Sequence, residues 1–238
     1  FPYTTLFRSD TIIGIGIAAT GVVEDGVIRE STVLGWRDLD LRGMLERRFG
    51  FPVTISNDVV CSMLAERFFG HGDKSMLFIK IDRGIGAATL IDDVTVIGQN
   101  HAGGEIGHIS LDPESGVLCP CGKRGCLETM VTSPVIRERI RRASTPEEQL
   151  DIIRSCGEQL AAALAMPIGL LDINDICVYG PPDIVNAAFL EATQRRVDMV
   201  SSSKFHKHTS VRRCQVGSDI ALRGSAIDVV HHYIENGH

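Results

Sequence analysis

Gly104-Glu105-Ile106-Gly107-His108 and, ten residues later, Cys119-Pro120-Cys121-Gly122-Lys123-Arg124-Gly125-Cys126-Leu127-Glu128 hold the densest chemistry in the chain. The spacing His108-x10-Cys119-x-Cys121-x4-Cys126 supplies three thiols and one imidazole, a complete Cys3His set for a tetrahedral zinc ion. Gly122 and Gly125 let the short loop turn back so that the sulfurs can face one point. Four protein ligands leave no open position, so the expected zinc is structural and not catalytic. The spacing departs from the usual zinc-finger pattern, which argues against nucleic-acid reading by this module.

The rest of the composition agrees with a reduced, packed domain. Of seven cysteines, Cys61, Cys156, Cys177 and Cys214 stand apart in apolar contexts and read as core thiols. The formal net charge is −6, with 24 Lys and Arg against 30 Asp and Glu, so the chain offers no basic nucleic-acid surface. Hydrophobic residues make up 44%, enough for a core. The longest apolar stretch, Leu160–Leu171, contains Pro167 and is too short to span a bilayer, which takes roughly 20 residues. No secretory signal is legible, and the expected compartment is the cytoplasm. Phe1–Ser9 lacks an initiating Met and any turn or cap leading onward. It matches, codon for codon, the translation of a common sequencing adapter, and reads as foreign to the domain.

Strand and helix patterns alternate along the chain. Strands are expected at Thr11–Ala18, Pro52–Ser56, Met76–Ile81, Ala87–Ile91, Ile176–Tyr179 and Val211–Val216, with a hairpin at Val22–Ile28 turning on Asp25-Gly26. Helices are expected at Asp40–Phe49, Val59–Phe69, Pro134–Arg142, Pro146–Leu164, Ile184–Val200 and Ala221–Ile234. This alternation implies an α/β fold. Gly14-x-Gly16-x-x-Ala19 imitates a dinucleotide fingerprint, but Thr20-Gly21 leads into a hairpin where that motif must open a helix. His206, His208, His231 and His232 have no ligand partners nearby in sequence and read as exposed.

The zinc segment closely resembles the signature of the ROK family (repressor, open reading frame, kinase), E-x-G-H followed by C-x-C-G-x-x-G-C-x-E. Leu34-Gly35-Trp36, Phe51-Pro52-Val53, Asn57-Asp58 and Ala65-Glu66 also resemble that family, in the same order. The resemblance implies an actin-like, ribonuclease H-like two-lobe fold. Residues 10–56 would be the remnant of an incomplete first lobe, on which a helix at 221–236 packs back, and 57–220 the second lobe. It implies a bound hexose or hexose derivative at Asn57, Asp58, Glu105, His108 and Glu128. His108 would hold zinc with one ring nitrogen and face the sugar with the other. Gly103 and Gly104 would let the backbone approach the sugar. Carboxylates suit such a ligand, because each can accept from two vicinal hydroxyls. Asn57-Asp58 is also good helix-capping chemistry ahead of Val59.

The family contains sugar kinases and sugar-sensing repressors. In a kinase, Asp58 would be the general base and ATP with Mg would be bound. Here the phosphate turn reads Asp82-Arg83-Gly84-Ile85-Gly86, with an acid beside Gly84 and Gly86 where the family carries Gly-Thr-Gly. The adenosine-side turn reads Gly180-Pro181-Pro182, and proline removes N–H donors. The expected function is therefore sugar sensing by a repressor core. DNA would be bound through a helix-turn-helix ahead of this sequence, and the full-length protein would be a homodimer or higher homo-oligomer. An ATP-dependent sugar kinase is the alternative, and a purely structural zinc module a third reading.

Overall fold

The computed structural model describes residues 12–201 and 208–235. The expectations for Phe1–Ser9 and for His206 lie outside the described residues. The chain divides into two compact units. One holds residues up to His71, Gln99–His101 and everything from Gln215; the other holds Gly72–Gly98 and Ala102–Cys214.

In the first unit, the β-branched run after Gly14 forms β1 (Ile15–Ala19), which pairs in parallel with β5 (Val53–Asn57) from Ile15↔Val53 to Ala19↔Asn57. Between them, β2 (Val22–Glu24), β3 (Val27–Ser31) and β4 (Trp36–Leu39) make an antiparallel sheet. Asp25 and Gly26 both take positive φ, 49° and 79°, the backbone of a two-residue hairpin turn that matches strand twist. The helix α1 (Leu41–Phe49) starts where the Asp40 carboxylate accepts from Gly43 N at 2.9 Å. The core of this unit is Ala19, Ile28, Val53 and Ile55, with Leu41 and Leu45 of α1 packed on it. The helix α2 (Asp58–Phe69) follows β5 without a loop because Asn57 caps it.

The second unit is built on a five-stranded mixed sheet. β6 (Met76–Ile81), β7 (Ile85–Ile91) and β8 (Val94–Val96) form an antiparallel meander. β9 (Asp175–Tyr179) and β10 (Ser210–Arg213) extend it in parallel, giving the order β10-β9-β6-β7-β8. Side chains alternate across the strands. Leu77, Ile79, Ile81, Ile176 and Val178 enter one core cluster with residues of the covering helices. Those helices are α3 (Glu128–Val131), α4 (Ser133–Arg142), α5 (Pro146–Leu171) and α6 (Ala187–Val200). The last helix, α7 (Ile220–Glu235), returns to the first unit against α2, β1 and β5. A Cβ on Gly16 would stand 2.3 Å from Ser225 O, so this glycine serves the close approach of α7 and not a nucleotide.

The mixed α/β architecture is the one expected, with several local differences. The boundary between units falls after His71 and not before Asn57, because α2 packs on α7 and touches β1 and β5. The first strand begins at Ile15. Helix α5 continues through Pro167, where a stop at Leu164 was expected. Leu160, Leu164 and Ile168 form one fully packed row, and that burial outweighs the roughly 3 kcal/mol cost of an internal proline. Helix α6 starts only at Ala187, since Ile184 N and Val185 N bond to Pro181 O as a turn and Asn186 caps the helix. Strands β4 and β8, four and three residues long, are too short for a pattern that marks them in sequence. The four scattered cysteines are all buried, as expected of core thiols. His208 and His232 are exposed, but His231 is half-buried with its ring 5.2 Å from that of Phe68, correcting the expectation for that residue.

Asp175 and Arg212 form a largely buried two-point ion pair between neighbouring strands (2.7 and 2.9 Å), and Asp73 N also donates to Asp175. Removing one partner strands the other charge. Asp175→Ala is expected to cost about 3 kcal/mol in urea unfolding, and Asp175→Ala with Arg212→Met to recover part of that loss.

Candidate functional site

Local backbone chemistry shapes the cysteine loop. The bridges Ser110↔Cys126 and Leu118↔Arg124 fold residues 109–126 back on themselves. Cys119 N donates to Lys123 O and Gly122 N to Cys119 O, closing the tip around Cys121. Gly122 and Gly125 take positive φ, 90° and 64°, as the turn-back required. Lys123 Nζ donates to His108 O at 2.6 Å and Ser110 Oγ to Arg124 O at 2.6 Å, tying both arms of the loop together. Sequence reasoning passed over these two residues. Their only signal was a place inside the cysteine spacing.

The result gathers one ligand atom from each of His108, Cys119, Cys121 and Cys126 within 4.8 Å of the others. Cys119 Sγ lies 3.6 Å from His108 Nδ1, and Cys121 Sγ lies 3.6 Å from Cys126 Sγ. The edges of a tetrahedron around zinc are about 3.8 Å between sulfurs and about 3.6 Å between sulfur and nitrogen, given ordinary zinc–ligand bonds. The set therefore fits a four-coordinate cation, and His108 offers it Nδ1. Electrostatics points the same way. Burial, then donation to Glu128 Oε1 at 3.0 Å, pushes the Cys119 thiol up to about 12. Burial also raises Cys126. Cys121 is exposed and accepts from the Lys123 backbone N–H, which brings it down to about 7. Sulfurs this close cannot all be thiolates unless a cation sits among them.

The other expected ligand residues fall in two groups. In the second unit, Glu105 is exposed and immediately precedes the 3₁₀ turn Ile106–His108. Glu128 opens α3, with Oε1 3.4 Å from His108 Nδ1. The structure thus brings His108 and Glu128 together with the cysteines. In the first unit, Asn57 and Asp58 sit at the head of α2, both half-buried. Asn57 Oδ1 accepts from Val59 N and Val60 N, and its Nδ2 donates to Gly21 O at 2.9 Å. The glycines before Glu105 also serve the packing of their own loop. A Cβ on Gly104 would meet Ala87 O at 1.9 Å and one on Gly103 would meet Ile97 O at 2.6 Å. These glycines serve close packing of the loop on its own unit, and Ala87 N bonds to Gly104 O.

The expected nucleotide turns lie together at one end of the five-stranded sheet. Gly84 is in the β6–β7 turn, Gly86 pairs with Lys80 in β7, and Gly180 ends β9. Asp82 O accepts from Ser133 N and Ser133 Oγ at the head of α4. Arg213 donates to Gly180 O and to Val185 O, which pins the turn Gly180–Val185. One helical turn into α4, Arg137 makes a two-point pair with Asp183 of that turn at 2.9 and 3.0 Å. That pairing lowers Asp183 and raises Arg137. Sequence reasoning missed Arg213, Arg137 and Asp183, which are distant in the chain.

The ROK family profile matches residues 5–230. A putative xylose repressor of Caldicellulosiruptor sp. is 33% identical over 198 residues, covering 73% of this chain and 49% of that protein. A glucokinase of Halalkalibacterium halodurans is 41% identical over 130 residues, covering 53% of this chain and 39% of that protein. The chain therefore spans half or less of the length of these relatives. Among solved structures, a ROK family transcriptional regulator described as a homolog of the E. coli MLC protein superposes with a TM-score of 0.84. It is 24% identical and covers 97% of this chain and 65% of its own. The fold is thus the actin-like one of that family. No helix among the described residues is long and apolar enough to cross a membrane.

At pH 7 the raised Cys119 and Cys126 thiols carry protons, and the lowered Cys121 thiol gives up its own more readily. A bound dication displaces all of them, so zinc uptake is expected to release between two and three thiol protons, and affinity to fall as pH falls. Calorimetry in buffers of different ionisation enthalpy measures this count, and Cys126→Ser is expected to abolish uptake.

Proposed function

The chain belongs to the ROK family, and from that premise we propose that it is the sugar-binding core of a sugar-responsive transcriptional regulator. The observation that carries this reading is the nucleotide end of the second unit. Actin-like kinases hold phosphates with free backbone N–H groups. Here Pro181 and Pro182 bring no N–H, and Ile184 N and Val185 N are spent on Pro181 O. Arg137 and Asp183 neutralise each other across the turn. Asp82 adds a carboxylate where a triphosphate would bring like charge.

The sugar residues are intact by comparison. Glu105, His108 and Glu128 in one unit and Asn57 and Asp58 in the other are the proposed hexose ligands. Zinc in the His108, Cys119, Cys121 and Cys126 cluster would be structural, fixing the His108 ring. Its charge would replace the Cys119 proton and so release Glu128 from the thiol toward sugar hydroxyls. The repressor relative supports DNA as the partner; a helix-turn-helix outside this sequence and a homodimer or higher homo-oligomer of the whole protein belong to the same proposal. The cytoplasm is the fitting compartment for free thiols.

The glucokinase relative supports a second reading, in which Asp58 is the general base of an ATP-dependent hexose kinase. The two readings part at one substitution. Asp58→Asn keeps a hydrogen-bonding group but cannot take a proton. In a regulator, hexose affinity falls by about tenfold, as for one charged hydrogen bond, and no hexose-dependent ADP forms in either protein. In a kinase, wild-type protein turns over ATP with hexose, and Asp58→Asn loses roughly 100-fold or more of that rate. Calorimetry with glucose, beside a coupled ADP assay, distinguishes them; hexose-dependent ADP release by the wild-type chain would overturn the regulator reading.

A further inference from the structure

Glu66 stands in the last turn of α2 and is fully buried, yet nothing in the candidate site uses it. Burying a carboxylate is costly unless hydrogen-bond donors meet it. Here backbone donors do. Oε2 accepts from Gln215 N at 3.0 Å and from Val216 N at 3.2 Å, and Oε1 accepts from His71 N at 3.4 Å. Gly70 leaves room for the side chain to fold back, since a Cβ there would stand 2.4 Å from Glu66 Oε2. The three donors have a common place in the chain. Apart from the excursion Gln99–His101, the main chain leaves the first unit after His71 and returns to it at Gln215. One carboxylate therefore ties exit and return to the same helix end.

The other end of α2 carries Asn57 and Asp58, and Asp58 lies about 12 Å from Glu66 along the helix axis. The helix between them is held along its flank. α7, which begins shortly after Val216, packs on it so closely that a Cβ on Gly224 would stand 1.6 Å from Cys61 O. A close-packed element of this kind transmits a displacement instead of absorbing it. We propose that Glu66 is a positioning residue for the response to hexose. It pins the exit and the return of the chain to α2, so a ligand taken at the head of that helix is felt at both crossings at once. The response rests on the hexose reading of Asn57 and Asp58, whereas the pin rests only on the hydrogen bonds of Glu66.

Native-state hydrogen exchange on the chain as given, with and without glucose, tests it. In the wild type the amides of His71, Gln215 and Val216 are expected to open together, and glucose to slow their exchange by about tenfold. Glu66→Gln keeps the size of the side chain but replaces one acceptor oxygen with a group that cannot accept. The three amides are then expected to exchange faster by about tenfold or more, as for a lost charged hydrogen bond, and glucose to bind without slowing them. Gly70→Ala displaces the carboxylate without removing it. It is expected to give the same pattern, and it decides the matter should Glu66→Gln not fold. A carboxylate that only supports the fold would lower the melting temperature and leave the glucose effect on the three amides intact, which overturns the proposal. Glucose binding to the wild type with these amides unchanged overturns it as well. If calorimetry finds no glucose binding to the wild type, the hexose reading fails and the response with it; faster exchange of the three amides in Glu66→Gln then marks the failure as one of ligand and not of the pin.

Discussion

Three thiols and an imidazole crowded within 4.8 Å can all ionise together only around a cation, and the loop that crowds them is held by its own backbone. That constraint positions more than the cluster. Leu127 N bonds to Ile109 O directly beyond Cys126, which sets where α3 begins and so where Glu128 stands. His108 ends the 3₁₀ turn that Glu105 precedes, with its Nδ1 turned to the sulfurs. The candidate sugar ligands of the second unit are therefore spaced by the geometry of the cysteine loop, and a metal there would stiffen all three together.

The ends of the two chemistries in this unit contrast. At the cysteine end, polar side chains converge and glycine permits close packing of the loop on β7. At the end of β6 and β9, donors and charges are consumed pairwise: Arg213 with two carbonyls, Arg137 with Asp183, Ser133 with Asp82 O. A site that binds ligand needs groups left over, whereas a site satisfied by its own side chains is structure. Protein folding removes unsatisfied polar groups wherever function does not demand them. On the regulator reading proposed above, the sheet end of the second unit would be a phosphate cradle whose groups the protein itself has satisfied.

The cysteine spacing, the Asp25-Gly26 hairpin, the capping pair Asn57-Asp58 and the alternation of strands and helices were legible because each is a short-range pattern with one physical solution. What escaped was decided by distant contacts. Nothing near Pro167 in sequence announces that Ile168 will continue a buried row, so the proline read as a stop. The assignment of α2 to the first unit depends on α7, some 150 residues further on. Gly103 and Gly104 were correctly singled out as places of close approach, but which group approaches could not be read locally. Within the protein it is Ala87 O of β7 for Gly104 and Ile97 O, just beyond β8, for Gly103. His231 looked like half of a solvent-facing pair because a helical partner such as Phe68 is visible only in three dimensions.

Asn57 shows how a residue can belong to a ligand motif and yet do most of its work elsewhere. A carboxamide offers two acceptor lone pairs and two donor hydrogens. Val59 N, Val60 N and Gly21 O take three of these four, so at most one N–H remains for a sugar. The main consequence is positional. The clamp ties the turn after β1 to the head of α2 and holds Asp58 in the first turn of that helix, where a negative side chain is stabilised by the helix dipole. On either proposed reading, a fixed carboxylate there would serve equally to accept a hydrogen bond from a sensed sugar or a proton from a phosphorylated one. The head of α2 consequently looks the same in a sensor and in a kinase. The distinction has to be sought where the phosphates would lie, among Asp82, Arg137, Pro181 and Arg213.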